Sequence, residues 1–172
     1  LSSLVINGSG GADDVTLGGV TSFAVTIDDN ESATLAVEAT SSIAEESGAQ
    51  NAGTVTLTIT GSADSGTFQL GNGIAVTADI TDATGGSATD TTDFGSVGTQ
   101  TVTFDTNAAT GATQSASVTP VNDQFLETNE TINLLLDNLV AAGTDASLGN
   151  ANNVTTIDDD EAATLDINAT ST

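Results

Sequence analysis

Two short runs, Asp28-Asp29-Asn30-Glu31 and Asp158-Asp159-Asp160-Glu161, concentrate carboxylates within four residues each. Carboxylates this close repel one another strongly wherever the dielectric is low. They can be held by water, by backbone N–H groups or by a cation. The chain cannot supply the cation, because its 172 residues include 24 Asp and Glu but no Lys, Arg or His. An ordinary chain of this length carries roughly 20 Lys and Arg. A hard divalent cation with oxygen ligands, calcium first, is the simplest way to make such runs favourable. Scattered acids such as Asp64, Asp79, Asp105 and Asp137 read instead as solvated surface residues, which is their usual place. Adaptation to high salt would also account for the acidity, but not for its gathering into runs.

The same inventory excludes much other chemistry. Without His, Cys, Lys, Arg or Tyr, the usual general bases, thiol nucleophiles and anion clamps are missing. A carboxylate pair of the glycosidase kind remains, but with no Trp or Tyr and only five Phe there is little to stack on a sugar. The chain reads as a non-enzyme with no small-molecule substrate. A net charge of −24 repels nucleic acid, whose phosphates need cations. No Cys means no disulfide and no thiolate metal site. No apolar run approaches about 18 residues, so no membrane span is expected. The first residues, LSSLVINGSG, lack the basic and apolar regions of a signal peptide.

The acids are carried by a chain in which an internal repeat dominates. Residues 26–42 read TIDDNESATLAVEATSS and residues 156–172 read TIDDDEAATLDINATST, with Ile27 and Ile157 130 residues apart. Upstream, Leu4-Val5-Ile6-Asn7 aligns with Leu134-Leu135-Leu136-Asp137 at the same spacing. Residues 1–31 therefore read as the terminal strands of a preceding repeat. Residues 32–161 read as one complete unit, and 162–172 as the first strand of a following repeat or a donor strand. Inside the unit, apolar residues alternate in strand fashion. Expected strands are 33–37, 53–60 (with Val55, Leu57 and Ile59 inward), 73–80, 99–104, 115–121, 130–136 and 153–157. Pro120 closes one of them, where a missing N–H is tolerated. Seven short strands separated by Gly, Asn, Asp and Ser predict an all-β, antiparallel, immunoglobulin-like sandwich with a thin aliphatic core.

Four segments of this unit, in order, resemble the Calx-β domain. Ser42-Ile43-Ala44-Glu45-Glu46-Ser47-Gly48 resembles the acidic turn after that family's first strand. Ala88-Thr89-Asp90-Thr91-Thr92-Asp93-Phe94 resembles its A–x–x–x–D–Y/F segment. Val121-Asn122-Asp123-Gln124-Phe125-Leu126-Glu127-Thr128-Asn129-Glu130 resembles its long acidic stretch, and Ile157-Asp158-Asp159-Asp160-Glu161 its terminal IDDD. The resemblance covers about three quarters of the chain. It implies a seven-stranded calcium-binding sandwich whose acidic loops converge at one end. The ligands it implies are Glu45 or Glu46, then Asp93, Asp123, Glu127, Glu130, Asp158, Asp159 and Asp160. Asp28, Asp29 and Glu31 would form the matching site of the preceding repeat. Asn122 stands where the family often has Asp, and its amide oxygen would be a neutral, weaker ligand.

The expected function is a calcium-stabilised structural repeat of an extracellular filament, adhesin stalk or surface layer at the cell surface, its partners being other copies or repeats arranged head to tail. A regulatory calcium sensor and a carbohydrate- or adhesion-binding module are the alternatives. The first would be marked by flanking membrane spans, and the second is weakened by the lack of Trp and Tyr.

Overall fold

The computed structural model describes residues 24–26, 29–46, 48–62 and 66–167. Nine strands follow one another: β1 (Ser32–Val37), β2 (Thr40–Ala44), β3 (Gln50–Thr60), β4 (Val76–Asp82), β5 (Gln100–Phe104), β6 (Thr113–Val118), β7 (Glu130–Ala141), β8 (Ala146–Leu148) and β9 (Asn152–Asp158). No helix occurs among the described residues, so none there is long and apolar enough to cross a membrane.

The strands form two sheets, ordered β6-β3-β1-β8 and β2-β9-β7-β4-β5. Their inner faces come from strict alternation, which sends every second side chain to the same side. Leu35, Val55 and Leu57 of the smaller sheet meet Val76, Ile80, Ile132, Leu134 and Leu136 of the larger, all essentially without solvent contact. Val55, Leu57 and Ile59 point inward as their spacing predicts.

The sequence-based picture of seven antiparallel strands needs correction. The described residues form nine, and the sheets are mixed, because β1 pairs with β8 and β2 with β9 in parallel. Both missed strands lie at sheet edges, where a strand pairs on one side only. β2 is mostly polar, with Ile43 its one buried residue, and β8 has three residues. β1 and β2 are one extended stretch that changes sheet at Glu38-Ala39. Asn153 and Thr155, buried on β9, secure that crossing: the Asn153 amide donates to the Glu38 carbonyl (3.0 Å), and Thr155 and Ser41 hydroxyls lie 2.8 Å apart. Pro120 falls two residues beyond the end of β6 rather than inside it.

The strand directions define two poles. β2 and β9 end, and β7 begins, at one; β1 and β4 begin, and β3 and β7 end, at the other. The twelve residues of β7 span roughly 35–40 Å between them.

Residues 162–167 belong to no strand, and Leu165 and Ile167 are 93% and 90% exposed. Their counterparts at the 130-residue spacing, Leu35 and Val37, are 0% and 3% exposed in β1. Residues 1–23, 27–28, 47, 63–65 and 168–172 lie outside the described residues, so the expected strands of a preceding repeat fall there, as do Asp28 and Asp64.

Candidate metal centre

Four backbone devices bring acids from distant parts of the chain to the pole where β2 and β9 end. Glu45 follows β2, and its N–H donates to the Asp158 carbonyl at 3.0 Å, tying the end of β2 to that of β9. Asp93 sits in a turn closed by the Thr89 N–H donating to Asp93 Oδ2 (2.5 Å). Its neighbour Phe94 is buried in the core and anchors that turn. The Asp93 carbonyl in turn accepts the Val121 N–H (2.9 Å), which fixes the start of the loop that carries Asp123 and Glu127. The same loop is pinned at its far end, where the Glu127 N–H donates to Asp159 Oδ1 (3.1 Å) and Asn129 Nδ2 to Asp158 Oδ1 (2.6 Å).

The outcome is two adjacent carboxylate triads. Glu45, Asp159 and Glu161 place one oxygen each within 4.8 Å of one another, and Asp93, Glu127 and Glu130 do the same. A cavity of about 10 Å³, room for about one water-sized body, is lined by Glu45, Asp93, Asp123, Glu127, Glu130 and Asp159, and so joins the triads. Val121 and Ile157 give it an apolar wall.

The electrostatics are those of acids held together against their repulsion. Glu45 is buried, and desolvation raises its carboxyl above the usual range. The charges of Asp123, Asp159 and Asp160 add to this, and only the Asp123 N–H, 3.4 Å from Glu45 Oε1, opposes it. Burial, a hydrogen bond with Asp93 and the charges of Asp93, Glu127 and Glu45 push the Glu130 carboxyl up to about 7. Glu161 is raised by desolvation and then by Asp160, Glu45 and Asp159. Its Oε2 is buried with no hydrogen-bond partner among the described residues. An orphaned carboxylate oxygen in a pocket of oxygen donors, in a chain without cationic side chains, fits a hard divalent cation. Each triad offers three carboxylates, enough for up to six oxygens when all bind bidentately, a mode that suits calcium better than magnesium, which demands a tighter octahedron.

The residues named from sequence distribute unevenly. Glu45, not Glu46, is the first-turn acid that enters the pocket; Glu46 points to solvent. Asp93, Glu127, Glu130 and Asp159 join the triads, and Asp123 lines the cavity while its Oδ1 accepts the Phe125 N–H (2.7 Å). Asp158 binds Asn129 and is in neither triad, and Asp160 is exposed. Asp29 and Glu31 lie at the opposite pole, in a groove with Ser32 and Ile59. Asn122 acts as a strut, its Nδ2 donating to the Glu45 carbonyl (2.6 Å), a bond no carboxylate could make. Glu161 was not among the ligands implied by the resemblance. Alternation beyond β9 would have found it: in extended chain Asp159 and Glu161 share a side while Asp160 faces away.

No family model matches the sequence, and no curated protein is similar to it. Solved structures are similar in fold. The Calx CBD1 domain, in its apo form, aligns with a TM-score of 0.51 at 19% identity over 75% of this chain and 98% of its own. CBD12 from CALX1.2 aligns at 0.53 and 18% over 74% of this chain but 44% of its own, and the Calx CBD2 domain at 0.52 and 12% over 72% and 85%. The chain has a Calx-β-like fold. The pole carrying the two triads is thus an end of a Calx-β-like sandwich, and the two sheets carry the loops that build it.

Proposed function

We propose that this Calx-β-like chain is a calcium-stabilised structural repeat of an extracellular filament, adhesin stalk or surface layer, joined head to tail to other copies or repeats. One observation carries the calcium reading: two carboxylate triads meet around a single small cavity, with a buried, unpartnered Glu161 oxygen beside them and no cationic side chain in the chain. Glu45, Asp159 and Glu161 would hold one ion, and Asp93, Glu127 and Glu130 a second, with Asp123 between them. Bound calcium would neutralise their repulsion and lock together the ends of β2 and β9, the start of β7 and the turn before Phe94. The chain's own residues contribute oxygen donors and position, and no catalytic group.

The array reading rests on the 130-residue repeat and on Leu165 and Ile167. These occupy the places of Leu35 and Val37 in the repeat, yet no sheet among the described residues covers them. An extracellular setting suits sites whose affinity of about 10⁻⁴–10⁻³ M matches millimolar calcium. Isothermal titration of the calcium-stripped chain with calcium tests the core of the proposal. Saturable binding is expected, and magnesium should compete poorly. Heat indistinguishable from dilution would remove the calcium role.

A further inference from the structure

The two poles differ in a way the metal centre does not explain. Beside the triads, the loop between Asp123 and Glu127 holds Phe125 and Leu126 70% and 58% exposed. The two side chains are neighbours and so form one contiguous patch, and it is contiguous rather than scattered apolar exposure that marks interaction sites. At the opposite pole a groove of about 390 Å³ is lined by Ile59, Phe68, Leu70 and Ile74, with Asp29 and Glu31 at its mouth. Its volume falls within the range of about 300–1,000 Å³ that receives ligand-sized apolar groups.

The repeat relates these two features. At the 130-residue spacing, Asp28 corresponds to Asp158, the last residue of β9, and β1 begins at Ser32. Only Asp29, Asn30 and Glu31 would separate the end of one unit from the start of the next. A link from residue 28 to residue 32 reaches at most about 14 Å. The acidic pole of a preceding unit would therefore be tethered at the mouth of this groove. The Phe125–Leu126 tip belongs to that pole, since the next residue, Glu127, is bound to Asp159 where the chain leaves the domain.

We propose that the Phe125–Leu126 tip of one copy seats in the groove formed by Ile59, Phe68, Leu70 and Ile74 of the next. The contact is heterologous, joining two different patches, and does not close on itself, so it propagates a line of copies. Apolar contact supplies the attraction. Charge opposes it, because Asp123 and Glu127 flank the tip and Asp29 and Glu31 flank the groove. Docking is therefore strengthened by calcium; the head-to-tail arrangement rests on the repeat-array part of the function proposed above, and the calcium dependence on its metal part. A net charge of −24 disfavours an anionic membrane as the occupant of the tip.

The chain has no cysteine, so single cysteines report proximity without background. Full-length Leu126→Cys is mixed with full-length Gly71→Cys, at the groove, and separately with Thr103→Cys, on the flank of β5. Each is oxidised in calcium and in chelator, after melting and calcium titration show that the variants fold and bind as the parent does. In calcium the Leu126–Gly71 pair should cross-link about tenfold more than the Leu126–Thr103 pair, and Phe125→Ser in the first partner should abolish the excess. Equal cross-linking of both pairs, with calcium still bound, overturns the docking and leaves the metal reading intact. Preferential cross-linking in a chain that binds no calcium supports the docking and defeats the metal reading. Calcium-dependent co-sedimentation with phosphatidylserine vesicles, lost in Leu126→Ser, would assign the tip to a membrane and overturn the proposal.

Discussion

Glu130 shows most directly what the acidic pole is built for. Its carboxyl is pushed up to about 7 in the folded chain, from a usual value near 4.5. Between those values the folded state binds a proton that the unfolded state releases. Without metal, the stability contributed by this group is therefore full below about pH 4.5 and is lost as pH rises to about 7. Glu45 and Glu161 are shifted in the same direction. A bound cation reverses the preference, because ligands must be deprotonated to coordinate it. The melting temperature of the metal-free chain should fall between pH 5 and 7.5, while in saturating calcium it should rise or stay level. Parallel slopes in both conditions would show that the carboxylates do not bind the ion. Single substitutions test the assignment further. Asp159→Asn and Glu127→Gln should each weaken calcium binding about tenfold or more, since affinity follows the number of charged ligands. Asp105→Asn, exposed at the other pole, should leave it unchanged, and equal losses from all three would show that only bulk charge matters.

At the scale of elements, the pole depends on loops held to strands by backbone contacts. Gly86 illustrates this. A Cβ there would overlap the Thr131 carbonyl oxygen, and Ser87 and Ala88 donate to Thr131 directly. The loop that leads to Asp93 is in this way stitched beside Glu130. Gly86→Ala should cost about 1–3 kcal/mol of stability through overpacking, and should also weaken calcium binding by moving Asp93 from Glu130. A destabilised variant with parental calcium affinity would separate the loop from the site. Long alternating strands such as β3 were legible in the sequence because Val55, Leu57 and Ile59 repeat at period two. β2 and β8 were not, since a short edge strand needs few apolar residues and leaves little pattern. β7 runs five residues past its expected end, through Asp137-Asn138, residue types expected between strands rather than within one. The acids that meet in the pocket were legible as motifs, but their sorting was not. Whether Glu45 or Glu46 turns inward, and whether Asn122 coordinates or braces, is decided by backbone direction rather than by residue type.

At the scale of the whole molecule, the described residues form a two-sheet sandwich, and the chain carries a net charge of −24, part of it concentrated at one pole. Such a chain has little stability to spare when its acids are unneutralised. In calcium, light scattering of the purified chain should report linear species larger than a monomer, with chelator returning it towards the monomer; a monomer at every calcium level would contradict the head-to-tail assembly. The most direct measurement of the central claim is the thermal melt of the full chain at low salt, in 10 mM calcium and in excess chelator. For an affinity of about 0.1 mM, each ion would add about 2.7 kcal/mol, or roughly 5–10 °C in melting temperature. A fall of that size or larger in chelator is expected, and superimposable melts would contradict a calcium-stabilised fold.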